Sequence, residues 1–208
     1  MNLAPSHCLS VLYYFLAQLD TCFEDVCIDS KIMEGVRSII SLPLMYPAVF
    51  ATGIFSKEAL SGILLYGPPG TGKTMLCRAI AKEYNIRMLL IAPSVIEDKY
   101  VGETEKLVTA TFSLARKIAP CVIFIDEVDA IFGARTSDSN CSSRYHRSML
   151  TQFMQEMDGL NSATANKKKG IIVIGATNRP YDLDDAILRR LPCRMLVDLP
   201  SPQEREGS

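Results

Sequence analysis

Ile63-Leu64-Leu65-Tyr66 runs straight into Gly67-Pro68-Pro69-Gly70-Thr71-Gly72-Lys73-Thr74, and an amphipathic stretch follows at once. An apolar run, a glycine-rich turn and a Lys-Thr pair opening a helix make the strand–loop–helix that cradles a polyphosphate. Glycines let backbone N–H groups turn inward toward phosphate oxygens, and the helix N-terminus beyond adds partial positive charge. Lys73 supplies a point charge for the β- and γ-phosphates of a nucleoside triphosphate such as ATP, and the Thr74 hydroxyl a ligand for Mg²⁺. Two glycines at this spacing match roughly one position in 200 at ordinary glycine usage; requiring Lys-Thr as well makes an accident rare. The candidate nucleotide-binding residues are therefore Gly67, Pro68, Pro69, Gly70, Thr71, Gly72, Lys73 and Thr74.

The rest of the chain supplies the sheet that such a loop needs. Ile63–Tyr66, Met88–Ala92, Val122–Ile125, Ile171–Gly175 and Met195–Val197 are short, aliphatic and not alternating, as expected of strands covered on both faces. Helical periodicity separates them over Thr74–Tyr84, Thr104–Ile118 (stopped by Pro120) and Arg147–Met157, with a glycine stop expected at Asp158-Gly159. The fold class that follows is α/β: a P-loop NTPase with a five-stranded, mostly parallel sheet and helices on both faces. Ligands of such folds sit beyond the carboxyl ends of the strands. Asn161–Lys169 reads as a surface loop.

Two further strand ends carry polar groups. Val122-Ile123-Phe124-Ile125 ends in Asp126-Glu127. Beside a phosphate loop, Asp126 is placed to hold Mg²⁺ through its water shell, and Glu127 to deprotonate an attacking water. A strand running into a solvated acidic turn has the same residues. The strand Ile171–Gly175 leads to Asn178, which can reach a γ-phosphate or a water; an Asn-led turn before Pro180 is the alternative.

Composition narrows the functions. The 22 Lys and Arg against 23 Asp and Glu give a net charge of −1, without the basic excess of a generic nucleic-acid binder. Cys8, Cys22, Cys27, Cys77, Cys121, Cys141 and Cys193 form no CxxC and no cluster with His7 or His146. That spacing gives no support to zinc and suits a reducing compartment. Cys8 to Leu19 is apolar but too short to cross a bilayer, and no Lys or Arg precedes Lys31 as a secretory signal requires. Residues 1–22 are expected to be a separate, helical N-terminal segment.

These motifs together resemble the AAA+ ATPase family over about Phe23 to the C-terminus. The likeness rests on Gly67–Thr74, Ile123–Glu127, Gly175–Pro180 and Leu183-Asp184-Asp185-Ala186-Ile187-Leu188-Arg189-Arg190. Lys99-Tyr100-Val101-Gly102-Glu103 and Leu188-Arg189-Arg190-Leu191-Pro192 look most like the meiotic clade of katanin, spastin and fidgetin. Within that clade the chain looks nearest the mitochondrial outer-membrane ATPase that extracts tail-anchored proteins. The resemblance implies an AAA+ large subdomain over residues 23–208, with ATP and Mg²⁺ bound and ATP hydrolysed to remodel, unfold or extract polypeptides. It also implies a homo-hexamer or co-assembly with full-length relatives, no specific nucleic acid, and only indirect membrane association. The location it implies is cytoplasmic, at the mitochondrial outer membrane if that relative is the guide.

The resemblance assigns further roles. Lys99, Tyr100, Val101 and Gly102 align with the pore loop that grips substrate. Arg189 and Arg190 align with arginine fingers that complete the neighbouring site, and Arg147 falls where relatives have interface arginines. Two departures stand out. The helical lid that follows Pro200-Ser201-Pro202-Gln203-Glu204-Arg205 in the family is expected to be missing before Ser208, and Ile28 replaces a glycine near the adenine position. A catalytically impaired or regulatory nucleotide-binding module is therefore the alternative expectation. Small-molecule kinases and nucleic-acid motors are disfavoured by Asp126-Glu127 and the near-neutral charge.

Overall fold

Five short strands build one sheet in the order β2-β3-β4-β1-β5, and every neighbouring pair is parallel. The computed structural model describes residues 30–46, 62–93, 103–133, 142–162 and 170–199. Along the chain these are α1 (Ser30–Met45), β1 (Gly62–Tyr66), α2 (Lys73–Glu83), β2 (Arg87–Ile91), α3 (Glu103–Ile118) and β3 (Cys121–Ile125). Then follow α4 (Val128–Phe132), α5 (Ser142–Ser162), β4 (Ile171–Thr177), a 3-10 turn (Pro180–Asp182), α6 (Asp185–Arg190) and β5 (Cys193–Leu196).

Successive strand side chains point to opposite faces, and here both faces are buried. Leu64, Leu89, Ile123 and Val173 join one core with Phe112 of α3, Met149, Phe153 and Met157 of α5, and Ile187 of α6. Ile63, Met88, Val122 and Ile172 join the other with Val36 and Ile40 of α1 and Leu76 and Ile80 of α2. The molecule is thus a three-layer α/β/α sandwich. Phe153 anchors the first core, meeting Phe112 edge-on at 5.8 Å between ring centroids and Phe132 at 4.7 Å. α1 is held by its stripe Val36, Ile40 and Leu44, and by Arg37, which pairs with Glu83 and donates from Nε to the Tyr84 hydroxyl at 3.0 Å.

Most elements differ from the sequence expectation by a residue at an end, and α5 begins five residues earlier, at Ser142 and not Arg147. α5 runs through Asp158-Gly159 to Ser162, because Leu160 continues the stripe Met149, Phe153, Met157 into the same core. β4 extends beyond Gly175 to Thr177, since Tyr66 of β1 still pairs there. β5 begins at Cys193, opposite Ile63, two residues earlier than the aliphatic run suggests. The N-terminal segment 1–22, Ile28, the loop Lys99-Tyr100-Val101-Gly102 and the tail from Pro200 lie outside the described residues.

Candidate active site

Because all five strands are parallel, their carboxyl ends share one margin of the sheet, and the loops there converge. β4 lies between β1 and β3. The phosphate loop after β1, Asp126-Glu127 after β3 and Asn178 after β4 therefore leave three adjacent strands side by side.

The loop is shaped by backbone that side chains resist. Gly70 and Gly72 have φ of 79° and 81°, the left-handed region in which a Cβ is strained. Gly67 faces a different constraint, since a Cβ there would lie 2.0 Å from the Val197 carbonyl oxygen beyond β5. Inside the turn, Lys73 Nζ donates to Gly67 O at 2.9 Å, Pro68 O at 2.7 Å and Thr71 Oγ1 at 3.2 Å. All three ammonium protons are thereby placed, in a side chain only 8% exposed. Burial lowers the Lys73 pKa below its ordinary value, and the charges of Asp126 and Asp129 partly restore it. Thr71 completes the turn by donating from Oγ1 to Pro68 O at 3.0 Å.

Thr74, at the start of α2, meets Asp126 across the margin: Oγ1 donates to Oδ2 at 3.0 Å. Asp126 is steadied by its own N–H on Ile91 O at 2.9 Å, which ties it to the end of β2. A hydroxyl and a carboxylate are hard oxygen donors, so these two residues fit a small divalent cation that completes its shell with phosphate and water. Glu127 is exposed, caps the N-terminus of α4 and takes φ 47°, ψ 54°. A left-handed glutamate costs roughly 1–2 kcal/mol, and such strain concentrates where a side chain must be aimed. Its N–H donates to Asp126 Oδ1 at 3.0 Å, locking the two acids together. Asn178 is exposed at the tip of β4.

The two candidate finger arginines have different surroundings. Arg190 forks onto Asp158 of α5, from Nε to Oδ1 at 3.2 Å and from Nη2 to Oδ2 at 2.9 Å. Arg189 is exposed and without a polar partner among the described residues. Arg147, on α5, is exposed as well.

Sequence reasoning missed two groups at this margin, Thr177 and Asp129. Thr177, 1% exposed, donates from Oγ1 to Asp129 Oδ1 at 2.6 Å. The available signal was a third carboxylate breaking the apolar run after Asp126, and a hydroxyl immediately before Asn178.

A glycine-bounded loop folded around a buried lysine, a hydroxyl–carboxylate pair and a strained acid beside it make a phosphate-loop site at the strand ends of a parallel α/β fold. Residues 63–199 match the model of the AAA family, the ATPase family associated with various cellular activities, and the chain belongs to that family. It is 42% identical to spastin of Gallus gallus and 41% identical to spastin of Homo sapiens, each over 183 residues. Those alignments take in 88% of this chain and 28% of each spastin, so the chain spans under a third of the curated relatives it matches. Among solved structures it superimposes on the FIGL-1 AAA domain with a TM-score of 0.80 at 36% identity, covering 98% of this chain and 64% of that one. The same domain in complex with ADP gives 0.81 at 36% identity, over 100% and 66% of the two chains.

Proposed function

We propose that this chain binds Mg²⁺-ATP between Lys73, Thr74 and Asp126 and hydrolyses it, with Glu127 as the general base. The observation that carries the reading is the 3.0 Å contact between Thr74 Oγ1 and Asp126 Oδ2, which joins the phosphate loop to the acidic strand end. Lys73 exchanges its loop carbonyls for β- and γ-phosphate oxygens, neutralising charge where the bond breaks. Mg²⁺, held by the Thr74 hydroxyl and through water by Asp126, would offset the charge of the same phosphates. Glu127 accepts a proton from the attacking water, and Asn178 orients that water against the γ-phosphate. Glu127→Gln is expected to keep ATP affinity and lower turnover by about 10²–10⁴-fold. Unchanged turnover would remove Glu127 from the mechanism.

The wider assignment draws on the likeness to spastin and FIGL-1. In this reading residues 23–208 form an AAA large subdomain that assembles as a hexamer or joins longer relatives, and Arg189 enters the neighbouring site. The loop Lys99-Tyr100-Val101-Gly102 grips a polypeptide, so that hydrolysis remodels or extracts it. The free thiols Cys77, Cys121 and Cys193 support a reducing, cytoplasmic setting; a place at the mitochondrial outer membrane belongs to the same proposal. A second reading, nucleotide binding without turnover, is favoured by one observation: Arg190 is engaged by Asp158 of its own chain. Turnover by the wild-type chain on addition of Mg²⁺-ATP separates the two.

A further inference from the structure

One hydrogen bond at the sheet margin joins the end of β4 to α4. Thr177 closes β4, and its hydroxyl has a single proton, given to Asp129 Oδ1 at 2.6 Å. That length belongs to an O–H donor on a charged carboxylate, the stronger class of hydrogen bond. Thr177 Oγ1 in turn accepts the Arg179 N–H at 2.9 Å, while the Thr177 carbonyl accepts the Gly67 N–H at 3.3 Å. One threonine is thus tied to α4, to the chain just past Asn178 and to the first residue of the phosphate loop. Asn178 lies between Thr177 and Arg179, so a single hydroxyl brackets it on both sides. Asp129 stands two residues beyond Glu127, in the first turn of the helix that Glu127 caps.

The ladder itself does not make this connection. Pairing between β3 and β4 ends at Ile125 opposite Gly175, two residues short of Thr177. Past that point β3 and β4 no longer pair with each other, although β4 still pairs with β1 as far as Thr177, and the Thr177–Asp129 bond joins the segment bearing Glu127 to the one bearing Asn178. The carboxylate also contributes to the field at the Lys73 ammonium, so it lies within electrostatic reach of the phosphate loop.

We propose that the hydrogen bond between Thr177 and Asp129 is a latch that fixes Asn178 relative to Glu127, making both of its partners positioning residues for hydrolysis. The proposal rests on the reading of Glu127 and Asn178 as the residues that activate and orient water. A latch of this kind acts on the transition state, and substitutions of the Thr177 side chain are expected to leave nucleotide affinity alone because they change no charge near Lys73 and keep the Thr177 carbonyl on Gly67 N–H. It also couples the two segments mechanically, so that displacement of one is felt by the other.

The test compares Thr177→Val, Thr177→Ser and Asp129→Ala with the wild type in the full chain. For each, kcat and KM for ATP, affinity for a non-hydrolysable ATP analogue, and amide exchange at residues 128–130 and 178–180 are measured. Thr177→Val is expected to lose about 10–100-fold in kcat, the scale of an ångström-level misplacement, with KM and analogue affinity unchanged. Thr177→Ser keeps the hydroxyl and is expected to restore most of the rate. Exchange is expected to rise in Thr177→Val at 128–130 as well as at 178–180, a readout that needs no turnover. An unchanged kcat, a serine variant as slow as the valine one, or exchange altered only at 178–180 would each overturn the latch. Should Thr177→Val fail to fold, Asp129→Ala removes the acceptor from the other side of the bond; a lower kcat together with raised exchange at 178–180 then supports the proposal, and an unchanged kcat or unchanged exchange there rejects it. Failure of the underlying reading shows separately, as turnover left unchanged by Glu127→Gln and by Asn178→Ala.

Discussion

Glu127 is the residue at which local conformational preference and proposed chemistry conflict most openly. Its left-handed backbone costs roughly 1–2 kcal/mol, which a glycine would avoid. Glycine also frees the unfolded chain, at about 0.5–1 kcal/mol, so Glu127→Gly is expected to be more stable by about 0.5–1 kcal/mol. Urea denaturation measures that gain, and the same variant is expected to have lost ATP turnover. A destabilised Glu127→Gly would mean that the αL geometry is not stored strain. The cysteines follow simpler rules. Burial pushes the Cys121 thiol up to about 12, and burial with the nearby Asp126 charge pushes Cys77 up as well. A raised thiol pKa leaves almost no thiolate at pH 8, and thiolate is the reactive form. Alkylation of the native protein at pH 8 is accordingly expected to spare Cys77 and Cys121, and rapid labelling of either would contradict the core described above.

At the scale of elements, the arginines at the end of α6 separate into two kinds. Arg190 spends its guanidinium on Asp158, a partly exposed bidentate pair worth about 1 kcal/mol or less, which fastens α6 to α5. Arg189 offers its charge to solvent. Arg189→Ala is therefore expected to leave thermal stability unchanged and to lower turnover of the assembled protein by about 10³-fold or more. Arg190→Ala is expected to lower stability by about 1 kcal/mol or less, measured in the same melts. Equal turnover in Arg189→Ala and wild type would end its assignment as a finger. The elements also show how far the sequence could be read. Strand positions were legible because buried parallel strands are plain aliphatic runs, and the phosphate loop because its glycines and lysine admit few substitutes. The end of α5 was not legible: Gly159 looks like a stop locally, and only the core position of Leu160 carries the helix past it. The reach of β4 to Thr177 was hidden for a related reason, since its partner Tyr66 is remote in sequence. Asp129 escaped notice because its partner Thr177 is 48 residues away, a contact that no local spacing announces.

At the scale of the whole molecule, the parallel sheet accounts for the proposed chemistry. Helices on both faces bury the strands, so that polar groups accumulate only where the strands end. Parallel direction puts all of those ends on one margin, where the loop, the acids and Asn178 meet. The family match over residues 63–199 spans this sheet from β1 through β5. The central claim is that a triphosphate and its magnesium are gripped where Lys73, Thr74 and Asp126 converge. Calorimetric titration of ATP into the wild type and into Lys73→Ala, each with and without Mg²⁺, tests it most directly. The account predicts saturable, Mg²⁺-strengthened binding to the wild type and its loss in Lys73→Ala while the variant remains folded by circular dichroism. Equal affinity in the two proteins would contradict it.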